Sequence, residues 1–129
     1  MSTSARFTSG TGPIAQGTDN TSRIKNNQYL NPAYAAIINV NPYASETLVN
    51  VAALTGALTI NTGVGSASTA PYVGDKITFL FTSAGIQVVT FGTGMLSTGT
   101  LSTAAGKTAN ITFIFNGASW CESHRTITA

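Results

Sequence analysis

The sequence predicts an all-β fold, a small antiparallel sandwich or a jelly-roll-like domain, with an extended N-terminal arm. Residues 76–82 and 110–115 alternate between apolar and polar side chains, which is the pattern of strands with one buried face. A helical period persists nowhere for three turns. Abundant threonine, together with glycine at 13 of 129 positions, further disfavours helix.

Composition favours a single domain that is covered by neighbours. Charged residues make up only 8% of the 129 residues, against about 25% in average proteins. The net charge of +2 comes with no dense basic patch, so nucleic-acid binding is not expected. The N-terminus lacks the apolar region of a secretion signal, and no apolar run approaches a membrane span. We therefore expect synthesis in a cytoplasm, no membrane association and assembly into something larger.

Residues 1–33 are predicted to form the arm, and residues 34–129 the β domain. The arm is rich in Ser, Thr, Gly, Asn and Gln with isolated apolar residues, a composition that does not fold alone. It could become ordered on a partner, or it could be a frayed tail. The candidate interface residues are Phe7, Arg23, Lys25 and Tyr29 of the arm, together with Tyr34 at the start of the β domain.

The four tyrosines Tyr29, Tyr34, Tyr43 and Tyr72 lie outside the strongest strand patterns. Tyrosine is enriched at interfaces, so they could be interface anchors. They could equally cap the edges of the core. The two interpretations remain open on the sequence alone.

Within the β domain, short β-prone runs cover residues 36–40, 47–54 and 58–61, and a Gly- and Ser-rich loop covers residues 62–71. Residues 86–91 are apolar on both faces, as in a buried strand. The segments KITFLF and NITFIF are near copies 34 positions apart, each followed by a turn and a returning run. They predict two related hairpins, and two copies are too few for a solenoid.

Asn116-Gly117 predicts a two-residue type I′ turn in the last hairpin, because both turn positions favour positive φ. This register would place Phe115 opposite Ala118, Phe113 opposite Trp120, and Ile111 opposite Glu122. The shared face would carry Ile111, Phe113, Phe115 and Trp120. We expect this face to form part of the core.

Catalytic, metal and cofactor sites are not expected. Cys121 is the only cysteine, and the predicted register places Cys121 and His124 on opposite faces of a strand, so they could not form a nucleophile pair. The four acidic residues, Asp19, Glu46, Asp75 and Glu122, are far apart in the sequence and suggest neither a glycosidase pair nor a metal cluster. An enzyme would need a site shared between subunits.

Residues 111–120, followed by Glu122 and Arg125, resemble a pattern near the C-termini of tailed-phage virion proteins. In that pattern an apolar strand runs into an Asn/Asp-Gly turn, then a Trp, an acidic residue and an Arg. The resemblance covers about residues 45–127. The class of proteins that it points to includes capsid decoration or auxiliary proteins, head-fibre proteins and tail-fibre tips, among them those of crAss-like phages. It implies a β fold, often trimeric, attached to a virion, and carries no catalytic residues.

The main hypothesis is therefore a non-enzymatic phage capsid decoration protein, made in the host cytoplasm and located in the virion. The arm would dock on the major capsid protein or another virion protein, and the β domain would associate with copies of itself, a trimer being favoured. No cofactor, nucleic acid or membrane is implied. The alternative is a receptor- or carbohydrate-binding fibre-tip module, with Tyr43 and Tyr72 as exposed contact residues.

Overall fold

The computed structural model describes residues 27–63 and 70–128, and these form ten strands arranged in two sheets. The strands are β1 (Asn27–Leu30), β2 (Ile37–Val40), β3 (Glu46–Leu54), β4 (Leu58–Thr62), β5 (Lys76–Ser83), β6 (Val88–Phe91), β7 (Met95–Leu96), β8 (Leu101–Ser102), β9 (Thr108–Phe115) and β10 (Trp120–Thr128). The described residues contain no helix, so the predicted all-β class is confirmed.

The two sheets are mixed, which corrects the prediction of an antiparallel domain. The larger sheet has the order β1-β3-β5-β9-β10-β7, and the smaller has the order β2-β4-β6-β8. From β1 to β6 each strand lies in the opposite sheet from the one before it. The successive strands of each sheet therefore pair in parallel, β1 with β3 and β5 in one and β2 with β4 and β6 in the other. The chain therefore winds through three stacked turns, as in a solenoid. The sequence did not predict this path, because its two near-copies were too few to indicate a repeat.

The two near-copies pair with each other instead of forming two separate hairpins. β5 and β9 are antiparallel neighbours at the centre of the larger sheet, with Lys76 opposite Ile114 and Thr78 opposite Thr112. The hydroxyl oxygens of Thr78 and Thr112 are 3.0 Å apart and share a hydrogen bond. After β5 the chain crosses to β6 in the smaller sheet, so the predicted first hairpin is wrong. β9 and β10 form the predicted second hairpin.

The core lies between the sheets and is rich in aromatic side chains. Phe79 and Phe113 meet edge to face with ring centroids 5.9 Å apart, and Phe91 of the smaller sheet lies 5.0 Å from Phe113. Trp120 is fully buried, and its ring lies 5.2 Å from that of Phe115. Each such burial stabilises the fold by roughly 1.5–3 kcal/mol, so these side chains hold the layers together.

The last hairpin has a four-residue loop, so the predicted two-residue turn and its register are wrong. Trp120 lies opposite Phe115, and Glu122 lies opposite Phe113. The side-chain oxygen of Asn116 accepts hydrogen bonds from the backbone N–H groups of Ala118 and Ser119. These bonds stabilise the longer loop, because an asparagine side chain can replace a backbone acceptor in a turn. The predicted buried face of Ile111, Phe113, Phe115 and Trp120 is confirmed.

Two further expectations change around β6 and β1. The run 86–91 is not buried on both faces, since Ile86 and Val88 are exposed and only Val89 and Phe91 of its apolar residues are buried. The end of the predicted arm, Asn27–Leu30, pairs with β3. Residues 1–26 of the predicted arm lie outside the described residues, as do residues 64–69 of the predicted loop.

Candidate functional site

Of the predicted interface residues, Tyr29 and Tyr34 are described, and Phe7, Arg23 and Lys25 lie outside the described residues. Tyr29 is on β1, an outermost strand of the larger sheet, and 59% of its surface is exposed. Tyr34 is half-buried against the core, and its hydroxyl donates a hydrogen bond of 2.7 Å to the carbonyl oxygen of Ala57. Tyr34 therefore caps the core, whereas Tyr29 offers its ring to solvent.

Tyr43 and Tyr72 are exposed on loops, where the carbohydrate-binding hypothesis needs them. Tyr43 follows β2, and its backbone N–H donates to the side-chain oxygen of Gln28. Tyr72 precedes β5, and its backbone N–H donates to a carboxylate oxygen of Asp75. Both backbones are thus anchored, and both rings are exposed.

The charged residues of the described part all belong to one layer. They lie in strands of the larger sheet or one residue before them: Glu46, Asp75, Lys76, Lys107, Glu122 and Arg125. Three are acidic and three are basic, so their formal charges cancel. Residues 1–26 hold the other four charges, three basic and one acidic, and thus the whole net charge of +2.

The smaller sheet has an uncharged outer surface. None of its strands β2, β4, β6 and β8 contains a charged residue. Ile37 of β2 and Val88 of β6 are 59% and 41% exposed on this surface, and Ile86 is exposed just before β6. Its two outermost strands, β2 and β8, also lack the charges that usually prevent edge-to-edge pairing.

A shallow groove of about 520 Å³ lies on the outer face of the larger sheet, near the beginnings of β1, β3 and β5. Its outward-facing residues form two rows across these three strands. The first row is Asn27, Glu46 and Lys76, and the second is Tyr29, Leu48 and Thr78. The strand register therefore brings an aromatic ring, a carboxylate, an ammonium and an amide together.

The polar groups of the groove are available to a ligand. Glu46 and Lys76 lie directly opposite each other on parallel strands, and both are exposed. The ion pair between Glu122 and Arg125 involves neither of them. The Tyr29 hydroxyl accepts a hydrogen bond from Asn50 Nδ2 at 3.4 Å, which restrains the ring over the sheet.

A second candidate group is the pair Glu122 and Arg125 on β10. Glu122 lies opposite Phe113 and Arg125 opposite Ile111, so both extend from the core-facing side of the sheet. The Glu122 side chain is only 7% exposed. Its hydrogen bonds to Arg125, helped by the Thr98 backbone, lower the pKa of Glu122 from 4.5 to about 2, and the same ion pair raises the pKa of Arg125.

The pair fastens residues 97–100, which connect β7 in the larger sheet to β8 in the smaller. Thr98 donates its backbone N–H and its hydroxyl to Glu122 Oε1, at 2.9 and 3.1 Å. Arg125 donates to the carbonyl oxygens of Thr100 and Gly99, at 2.8 and 3.0 Å. Both members of the ion pair thus hydrogen-bond to this connection, Glu122 through Oε1 and Arg125 through Nη1 and Nη2, so we assign the pair a structural role.

Cys121 and His124 share the outer face of β10, contrary to the predicted register. A β-bulge between Glu122 and His124 places Cys121 opposite Ile114 and His124 opposite Thr112, two positions apart on one face of β9. The Cys121 thiol donates to the carbonyl oxygen of Ser119 at 3.8 Å. No hydrogen bond joins Cys121 to His124 in the described residues, so the geometry does not form a nucleophile–base pair.

Groups of three or more side chains able to hold a metal ion do not occur within residues 27–63 and 70–128. The same residues contain no helix with the length and apolar character needed to cross a membrane. No family model matches the sequence, and no curated protein is significantly similar to it.

Proposed function

We propose that the chain is a non-enzymatic structural protein of a phage virion, which decorates or stabilises the capsid. Its N-terminal segment docks on the major capsid protein or another virion protein, and its β domain associates with copies of itself, most simply as a trimer. The proposal locates it in the virion after synthesis in the host cytoplasm. The observation that carries it is the uncharged outer surface of the smaller sheet, with Ile37 and Val88 exposed.

Self-association is supported by the contrast between the two layers. A layer without charge loses little solvation when a neighbour covers it, and burying exposed Ile and Val is favourable. The uncharged edges β2 and β8 would add backbone hydrogen bonds to a neighbouring strand. A neutral domain also lacks the charge repulsion that keeps small proteins monomeric.

Docking through the N-terminal segment is supported by the division of charge. Residues 1–26 hold three basic residues and one acidic residue, whereas the described part is balanced. A short basic segment is attracted to an acidic protein surface. Arg23 and Lys25, the close basic pair immediately before β1, are the residues through which we expect this attraction.

Self-association is tested by the solution mass of the full chain, measured by light scattering. The parent is expected to be an oligomer, and Ile37→Lys or Val88→Lys is expected to shift it towards monomer. The matched control is Leu96→Lys, since Leu96 is 57% exposed but belongs to the larger sheet. A monomeric parent, or equal masses for all four proteins, would contradict the proposal.

Docking is tested by co-sedimentation of the full chain with assembled capsids from the same source. The double variant Arg23→Glu, Lys25→Glu is expected to lose binding, while Lys107→Glu, a charge reversal at an exposed position of the β domain, should retain it. A truncation should end at residue 26, because removing residues 27–33 would delete β1. Unchanged binding by the double variant would refute docking through this segment.

A further inference from the structure

We propose that the groove across β1, β3 and β5 is a binding site for a neutral saccharide. The inference is independent of capsid docking, since it concerns the opposite sheet from the uncharged surface and none of residues 1–26. The site is formed by Tyr29, Glu46 and Lys76, with Asn27 beside them. Its volume of about 520 Å³ lies within the roughly 300–1,000 Å³ of small-molecule sites.

Tyr29 provides the apolar contact. Its ring is exposed, and the hydrogen bond from Asn50 to its hydroxyl reduces the freedom that binding would otherwise remove. A pyranose ring has a flat face of C–H groups, which packs on an aromatic face as other apolar groups do. Leu48, directly opposite Tyr29 on β3, extends the apolar floor of the groove.

Glu46, Lys76 and Asn27 provide the polar contacts. A carboxylate only accepts hydrogen bonds, an ammonium only donates them, and an amide does both. A sugar hydroxyl can donate and accept, so neighbouring hydroxyls can satisfy all three side chains. Because the first row of the groove carries this mixture beside the apolar surfaces of Tyr29 and Leu48, the groove matches a molecule with one apolar face and a hydroxylated edge.

The opposite charges of Glu46 and Lys76 disfavour binding of ions. Glu46 repels an anion, and Lys76, directly opposite on the next strand, repels a cation. A charged ligand would therefore be attracted by one of the two side chains and repelled by the other. A neutral ligand meets no such opposition, which favours neutral over acidic or amino sugars. The same reasoning disfavours phosphorylated ligands.

The test is an NMR titration of the full-length protein with lactose, maltose, cellobiose and diacetylchitobiose, each to about 10 mM, because single-ring contacts give millimolar Kd values. At least one sugar should shift the amide signals of Tyr29, Glu46 and Lys76. Tyr29→Ala should weaken that binding about tenfold or more, and Tyr29→Phe should change it by less than about threefold, since the ring remains. Lys76→Gln should weaken it about fivefold through the lost charged donor.

The matched control is Tyr72→Ala, because Tyr72 is 58% exposed, like Tyr29, but does not line the groove. It should bind as the parent does. Circular dichroism and thermal melting establish that each variant folds, and Lys76→Gln decides the matter if Tyr29→Ala does not fold. The proposal is overturned if none of the four sugars shifts the groove signals, if a folded Tyr29→Ala or Lys76→Gln variant binds like the parent, or if binding is lost with Tyr72→Ala instead.

Discussion

Arg125 holds Glu122 at two points across a β-bulge, with Nε 2.6 Å from Oε2 and Nη2 2.7 Å from Oε1. Residues three apart on a regular strand point to opposite faces. The extra residue of the bulge brings both side chains to the same face, where they fasten the β7–β8 connection. The ion pair therefore stabilises the fold and is not an isolated interaction on the surface.

Glu122→Gln is expected to lower the free energy of unfolding by about 1–3 kcal/mol. The substitution keeps the shape but leaves the Arg125 guanidinium without its charged partner, and it weakens the bonds to Thr98. Urea denaturation measures the change. The control is Glu46→Gln on β3, which is exposed and forms no ion pair with another described residue. This variant should stay within about 0.5 kcal/mol of the parent. Equal losses in the two variants would contradict the structural role of the pair.

Stability should fall with acid through the titration of Glu122. Its pKa is about 2 in the folded state and 4.5 in the reference state, so the unfolded chain binds this proton first. The stabilisation is therefore fully present above about pH 5 and is lost as the pH falls through about 2. Melting temperatures measured across this range should fall less steeply for Glu122→Gln than for the parent. Parallel curves would show that other groups govern acid unfolding.

Strand positions and buried faces were predictable because they depend on local alternation. Ile77, Phe79 and Phe81 on β5 are fully buried, as their spacing of two indicates. The same holds for Ile111 and Phe113 on β9. These side chains are buried as long as a second hydrophobic layer packs against their face of the sheet. The prediction of burial therefore does not depend on the order of the strands.

Strand partners were not predictable, because alternation does not state which strand lies beside which. Asn27, Glu46 and Lys76 stack across β1, β3 and β5, yet they are 19 and then 30 positions apart. Because the turns of the winding path contain different numbers of residues, the sequence shows no regular repeat from which the path could be predicted. The groove depends on this stacking and could not be predicted either. That Glu122 and Arg125 extend from the core-facing side of β10, with Glu122 nearly buried, was not predictable either, because it depends on a bulge that carries no glycine or other signal.

Asn116→Ala is expected to cost about 1–2 kcal/mol in unfolding free energy, because the N–H groups of Ala118 and Ser119 lose their acceptor. Asn116→Asp is the matched control, since a carboxylate oxygen can accept both bonds, and it should cost less. Gly117, with φ of 103°, stays unchanged in both variants, so the loop geometry is common to them. Chemical denaturation measures the unfolding free energy of each variant. If both variants lose the same amount, the loss is not due to the missing acceptor.

Trp120→Ala is expected to cost about 3–5 kcal/mol, because Trp120 is fully buried against Phe115. Trp120→Phe should cost less. It keeps an aromatic ring in the core, and it removes an indole N–H that is buried with no acceptor among the described residues. Thermal and urea unfolding provide the comparison. A Trp120→Ala variant that melts like the parent would contradict the burial of this face.

Ala53→Gly is expected to stabilise the protein by about 0.5–1 kcal/mol. Ala53 has φ of 60° at the irregularity where β3 departs from β5, and its N–H is fixed there by Thr82 Oγ1. The left-handed conformation costs an alanine roughly 1–2 kcal/mol, more than the roughly 0.5–1 kcal/mol of chain entropy that glycine adds. Ala53 is exposed, so little burial is lost. Ala52→Gly, one position earlier and with φ negative, should instead destabilise by about 0.5–1 kcal/mol. If urea denaturation shows both variants to be weaker than the parent, Ala53 carries no backbone strain.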